Sequence, residues 1–278
     1  MSNMELCGID LTFPLMDFRK SLKLLRLLEF KKADITLNAD DNNRHLNTYK
    51  ELEKPYENGR RLLGIMREEG LKQTDLFMFM GDNMGTALNS PDKAVRDMSS
   101  STFKSAVEYA KACECSHITI LPGMYFDEQS MIMASKELRW RAEMAGDKGI
   151  TLGVEPHIGS IIDTPIKAAE LVEITPGLTL TLDYSHFIKN GVKQSSIDKL
   201  ICNAAHMHFR NASRKSSQTI FSESEIDYID LIKKIKKSEF SGEIAIEFCS
   251  SAWEDQNRID TISETIRLKE YIENNWNN

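Results

Sequence analysis

Nowhere does the sequence stay apolar for the roughly eighteen consecutive residues that a membrane-spanning helix needs. Its first residues, Met1-Ser2-Asn3-Met4-Glu5, lack a cationic segment followed by an apolar one, so export is not expected and a cytoplasmic location is. Positive charge is also short. With 35 Lys and Arg against 42 Asp and Glu, the net charge of −7 excludes a general phosphate-backbone binder but leaves room for a local cationic pocket. The basic run Lys233, Lys234, Lys236 and Lys237 falls off the apolar face of a predicted helix and reads as solvated. Five cysteines (Cys7, Cys113, Cys115, Cys202, Cys249) show no zinc-knuckle or redox spacing, which suits reduced thiols. No linker, composition break or low-complexity tract divides residues 1–278, so one domain is expected.

What the sequence does contain is an alternation of short apolar runs with amphipathic stretches. Strands are predicted at 5–10, 33–37, 75–80, 117–121, 150–155, 178–183, 204–208 and 243–247. Helices are predicted between them at 18–30, 56–69, about 90–113, 130–147, from 165, near 196–202 and from 228, with a last one at 260–274. Ser90-Pro91-Asp92 and Thr164-Pro165 read as helix starts with a hydroxyl cap and proline in the first turn. Ser224 to Asp227 resembles a capping box, and Gly70 ends a helix. The polar stretch 38–47 reads as a lid or a solvated loop, with His45 in water. Eight such alternations predict an α/β fold, the (β/α)8 TIM barrel.

Four of the runs finish on a metal-ligand type: Glu155, Asp183, His208 and Glu247. Strand side chains alternate between two faces, so parity tells which residues accompany each one. Gly153, Thr181, His206 and Ala245 share the ligand faces. The opposite faces carry Leu152 and Val154, Leu180 and Leu182, Met207 and Phe209, and Ile244 and Ile246. Small or polar faces would line the barrel, and apolar faces would meet helices. Two Glu, one Asp and one His make an oxygen-rich set that suits one divalent ion, Mn²⁺, Mg²⁺ or Co²⁺ ahead of Zn²⁺. His206 reads as a residue behind the ligands, and His117, at a strand start, as structural.

The stretches Val154-Glu155-Pro156-His157, Leu182-Asp183-Tyr184-Ser185-His186-Phe187, His206-Met207-His208-Phe209-Arg210 and Ile246-Glu247 resemble the xylose isomerase-like TIM barrels. Within these they are similar to the sugar isomerase and epimerase branch that includes the ketose 3-epimerases. The resemblance implies that Glu155, Asp183, His208 and Glu247 bind the ion, and that Glu155 and Glu247 exchange a proton with the carbon being inverted. It implies that His186 and Arg214 hold substrate oxygens, with Arg210 a rival because it shares parity with His208. One departure stands out: the epimerases carry another Glu six residues after the first ligand, where this chain has Ile161. That points to a different substrate, such as an oxidised or acidic sugar met by His157 and an arginine.

Deprotonating a carbon beside a carbonyl creates an enediolate, whose charge a divalent ion can stabilise. The expected activity is therefore a metal-dependent isomerase or epimerase on a ketose or keto-sugar derivative. A lyase, dehydratase or decarboxylase on a keto-sugar or sugar acid would share the same parts. An abasic-site endonuclease would need more ligands than six His allow, and a sugar-binding protein without chemistry would keep only the pocket. The expected partner is a small sugar-derived molecule, with no nucleic acid and no membrane; a homo-oligomer, dimer or tetramer, is compatible. Trp253 reads as a wall of the pocket or, as aromatics in such loops more often are, as simple packing.

Overall fold

Eight parallel strands close on themselves: β1 (Cys7–Ile9), β2 (Lys32–Asn38), β3 (Lys72–Met78), β4 (His117–Ile120), β5 (Thr151–Val154), β6 (Leu178–Asp183), β7 (Ala204–Phe209) and β8 (Glu243–Ile246). This computed structural model describes residues 5–13, 15–39, 45–81, 85–251 and 253–276. Each strand pairs with the next, and Cys7 lies opposite both Lys32 and Ala245, which joins β1 to β2 and to β8. The result is the (β/α)8 TIM barrel that the alternation predicts. A two-residue strand, Leu46–Asn47, extends the sheet beside Leu37 and Asn38 at the end of β2. Half of the polar stretch expected as a lid or a solvated loop, residues 40–44, lies outside the described residues, as does the Trp253 side chain. No helix among the described residues is long and apolar enough to cross a membrane.

Strand alternation separates two interiors. Outward-facing Ile35, Leu76, Ile118, Leu152, Leu180, Met207 and Ile244 are buried between the strands and the surrounding helices in one large apolar core. Burying such side chains contributes about 1.5–3 kcal/mol each, which makes this layer the main source of stability. Inside the barrel the filling is polar. Thr119 and Thr181 meet across it at 2.6 Å, and Gly153 leaves them room. A Cβ at Gly153 would lie 2.5 Å from Thr181 Oγ1 and 2.8 Å from His117 Cε1. The barrel is thus a packed plug with its opening at the carboxyl ends of the strands.

Helix starts follow local chemistry, with two departures from expectation. The helix Pro165–Glu173 is capped by Thr164, as the Thr-Pro pair predicts. The helix Lys93–Ala112 is capped by Asp92 instead of Ser90, whose hydroxyl accepts from Asp92 N and makes a turn ahead of the helix. Asp227, not Ser224, caps Tyr228–Lys237, accepting from Asp230 N. Gly70, at φ 70°, ends the helix Pro55–Glu68 as expected. His45 corrects another expectation. Its side chain is 4% exposed, 2.9 Å from Asp10 Oδ2 and 3.1 Å from the carbonyl of Phe13, because the chain folds back along β2 and carries the ring inward.

Candidate functional site

The ends of β5 to β8 bring buried ionisable groups together. Glu155 follows β5 and is fixed by its N–H to Ile120 O, and Glu247 follows β8 and is fixed by its N–H to Phe209 O. His208 lies between their carboxylates, its Nδ1 2.7 Å from Glu155 Oε1 and 3.3 Å from Glu247 Oε2. Asp183 ends β6 and also caps the helix Tyr184–Lys189, accepting from Ser185 N at 2.7 Å and from Ser185 Oγ at 2.8 Å. That cap sets the first turn of the helix and turns His186 toward the group, with its Nε2 3.4 Å from Asp183 Oδ2.

The structure distinguishes the two arginines. Arg210, one residue beyond β7, donates from Nη2 to Asp183 Oδ2 at 2.7 Å and to His186 Nε2 at 2.8 Å, and from Nε to Ser185 Oγ at 2.8 Å. Its Nη1 lies 3.9 Å from Glu247 Oε2 and 3.9 Å from Cys249 Sγ. Arg214 is not brought to this group. Its side chain is 65% exposed and lies 3.5 Å from Glu225, because the chain has left the strand by then and turned outward. His157 packs its ring 4.4 Å from that of His186.

Burial and neighbouring charge drive the protonation states apart. Burial, reinforced by the charge of Glu247, raises Glu155 to about 7 against the pull of His208. Burial likewise raises Asp183, partly offset by Arg210. For Glu247, burial pushes upward but the charges of His208 and Arg210 win and hold it below the usual carboxylate range. Burial would lower His208, yet Glu247, Asp34 and Glu155 hold it well above the ordinary imidazole value. Burial and the cation of Arg210 depress His157 to about 4. His186 is pushed well below its ordinary value by burial and by the charges of His157 and Arg210. Two neutral imidazoles therefore flank a permanent cation.

Whether these residues fit a divalent ion can be judged from their donors. Glu155, His208 and Glu247 can each offer a ligand atom, all within 4.8 Å of one another, and so can Glu155, Asp183 and His186. Glu247 Oε2 is buried without a hydrogen bond. The charge of these carboxylates is met by Arg210 on one side and by the His208 ring, whose Nδ1 faces Glu155 and Glu247, on the other, and a cation bound there would take the place of the Nδ1 proton. Oxygen and imidazole donors of this kind suit a divalent ion. The residues fit.

Beneath the rim lies a second layer drawn from the first half of the chain. Asp34 Oδ1 accepts from Thr74 Oγ1 at 2.6 Å, and Asp34 Oδ2 lies 2.7 Å from His206 Nε2 and 3.6 Å from His208 Nε2. Asp75 pairs with His117 at 2.6 Å, and the His117 ring stacks on His206 at 5.2 Å. His206 thus sits beneath His208, where Asp34, Asp75, His206 and His208 can also each offer a ligand atom, all within 4.8 Å of one another, and His117 is held in the interior by Asp75. Asp34 and Asp75 escaped the sequence reading, although the same parity count would find them: Asp34 and Thr36 share the polar face of an otherwise apolar run. Gln218 was missed as well. It donates to Cys249 O and Gln256 O and accepts from Cys249 N, pinning the loop after β8, and no sequence signal marks it.

The model of the family described as xylose isomerase-like TIM barrel matches residues 30–271. No curated protein matches the chain. Among solved structures, D-psicose 3-epimerase from Clostridium cellulolyticum H10 is 13% identical, with 98% of this chain and 99% of that one covered at a TM-score of 0.78. The probable 3-DHS dehydratase from Bacillus anthracis is 15% identical over 96% of this chain and 99% of that one, with a TM-score of 0.72. An AP endonuclease, family 2, from Brucella melitensis is 18% identical over the same shares, also at 0.72. At such identities these structures share the fold alone with this chain. The extent of the family match, together with the closed barrel, establishes that the chain belongs to the xylose isomerase-like TIM barrel family.

Proposed function

We propose that the chain is a divalent-metal-dependent isomerase or epimerase acting on a ketose or keto-sugar derivative, with Glu155, Asp183, His208 and Glu247 holding the ion. The observation that carries this reading is the buried convergence of Glu155, His208 and Glu247 at the rim, with Asp183 joined to them through Arg210. When bound there, such an ion would supply positive charge to the substrate oxygens that become negative as an adjacent carbon loses its proton.

The chain's own groups would handle that proton. Glu247, kept ionised by His208 and Arg210, is suited to accept it. Glu155, on the other side of the His208 ring, is suited to return one to the carbon. A carboxyl on each side of His208 supplies the base and the acid of one exchange. Arg210, His186 and His157 would orient substrate oxygens: the guanidinium donates, and the neutral imidazoles can each donate or accept. Arg214, exposed and beside Glu225, is left out of this proposal.

Incubation with ketoses in deuterium oxide and Mn²⁺ tests the reading. Label should enter at a carbon beside the carbonyl; tight binding of a ketose without any exchange would point to a sugar-binding protein. A second reading, loss of water or carbon dioxide from a keto-sugar or sugar acid, is favoured by one observation. Ile161 is buried in the apolar core at the place where the epimerase resemblance calls for a Glu. Release of water or carbon dioxide in place of an exchanged or inverted product would select it.

A further inference from the structure

We infer that Asp34 is a positioning residue for His208, fixing which ring nitrogen is presented to the carboxylates at the rim. The inference rests on the proposed role of His208 as a ligand. An imidazole can ligate only through a nitrogen that carries no proton, so its other nitrogen must hold one. The His208 ring points Nδ1 at Glu155 and Glu247, at 2.7 and 3.3 Å, and Nε2 at Asp34 Oδ2, at 3.6 Å. Among the described residues, Asp34 is the acid that faces Nε2, and that atom has no hydrogen bond. An ion at the rim takes Nδ1, so the ring's remaining proton must sit on Nε2, the nitrogen that faces Asp34.

Asp34 is built to favour that choice. It has no exposed surface. Thr74 Oγ1 donates to its Oδ1 at 2.6 Å, which sets the plane of the carboxylate and leaves Oδ2 to face both imidazoles, 2.7 Å from His206 Nε2 and 3.6 Å from His208 Nε2. A residue of β2 thereby acts on a site assembled from β5 to β8. It touches neither the substrate side nor the rim carboxylates. The simpler role, supplying a counter-charge to His206 in the barrel interior, requires only the charge and not the position of Oδ2.

Nitrogen-15 spectra of the full-length protein loaded with Zn²⁺, a diamagnetic probe, should show His208 protonated at Nε2 and metal-bound at Nδ1. The reverse assignment would overturn the inference without any variant. Competition of the protein against a chelator for Mn²⁺ should show one ion per chain. The dissociation constant should rise about 10- to 100-fold in Asp34→Asn, the range typical for loss of a carboxylate behind a ligating histidine. Asp34→Glu, which keeps the charge but moves the oxygen, should remain weakened; full recovery there would reduce Asp34 to a counter-charge. Two ions per wild-type chain would also overturn it, since Asp34, Asp75, His206 and His208 would then be ligands of a second ion. Failure of the wild-type chain to bind Mn²⁺ would remove the metal reading, and this inference with it. A stable ion with an unchanged constant in Asp34→Asn would remove the inference alone.

Discussion

Strands β5 to β8 lead into Glu155, Asp183, His208 and Glu247, whereas the rim over β1 to β4 is walled by Leu11, Phe77 and Leu121. Of the buried acids of that first half, Asp10 follows β1 and pairs with His45, whereas Asp34 and Asp75 lie deeper, within their strands, and pair with His206 and His117. One half offers ionisable groups to the opening, and the other offers an apolar wall above and fixed counter-charge below. A site of this kind needs both. Clustered carboxylates bind a cation well only where water is excluded and each imidazole is held in one orientation. Phe77, packed 5.6 Å from the His208 ring, belongs to the wall and touches a proposed ligand directly.

If the comparison holds, substitutions in the second half strike proton transfer, charge balance and ion binding together, while those in the first leave the proton-transfer groups in place and change affinity or stability. The largest effect is expected for Glu247→Gln. Loss of a proton-transfer group should slow turnover by about 10²–10⁴-fold while weakening substrate binding far less. Single-turnover kinetics beside equilibrium binding would check this, and equal modest losses in both would remove Glu247 from the proton-transfer role.

Arg210→Gln comes next. It strips the cation from buried Asp183 and Glu247, and breaking such a pair costs about 3–5 kcal/mol. Urea unfolding should show the loss, and saturating Mn²⁺ should recover part of it by supplying charge to the same carboxylates. An unaltered midpoint would mean that Arg210 is not what balances them.

A smaller effect concerns pH. Metal ligands must be deprotonated, and Glu155 in the metal-free chain titrates at about 7. Below that value both Glu155 and His208, which is held well above the ordinary imidazole value, must each lose a proton before an ion can bind, so Mn²⁺ affinity should fall as pH falls, by roughly a hundredfold per unit for two protons. A slope of one proton in place of two between pH 5 and 7 in calorimetric titrations would show that Glu155 does not ligate.

The smallest effect tests the first half alone. Burial opposes the charge on His45, but Asp10 prevails and raises its titration. A raised value means that the pair's stabilisation is fully present below the ordinary imidazole value of roughly 6.5 and is lost as pH rises through the folded one. His45→Gln should therefore cost about 1–2 kcal/mol at pH 5.5 and less at pH 9, with metal binding unchanged. A coupled loss of Mn²⁺ affinity would blur the division between the halves.

Much of this arrangement was readable in the chain itself because strand parity is strict. The same count that puts Thr181 beside Asp183 puts His206 beneath His208 and carries Arg210 onto the ligand face. The offset drawn from family resemblance pointed to Arg214 instead. Parity describes only a strand, and by residue 214 the backbone has turned outward, so geometry favours the nearer arginine. Asp34 was equally accessible to the count but was passed over, since it lies mid-strand and not at an end. His45 could not be placed from sequence. Its partner Asp10 is 35 residues away, and only the fold closes that distance. Two helix caps were misplaced for a local reason, as neighbouring oxygen acceptors competed for the first N–H groups and the one nearer the helix won.

The carboxylate of Asp183 serves both as the terminus of β6 and as the knot that ties the following helix. Replacing it would not simply subtract one oxygen donor. The first turn behind it would unwind, and His186 would drift from the arginine it contacts. On the proposed reading, grip on the ion and grip on the substrate are thus inherited as one unit, so a variant that drifts at either position must be rescued at the other.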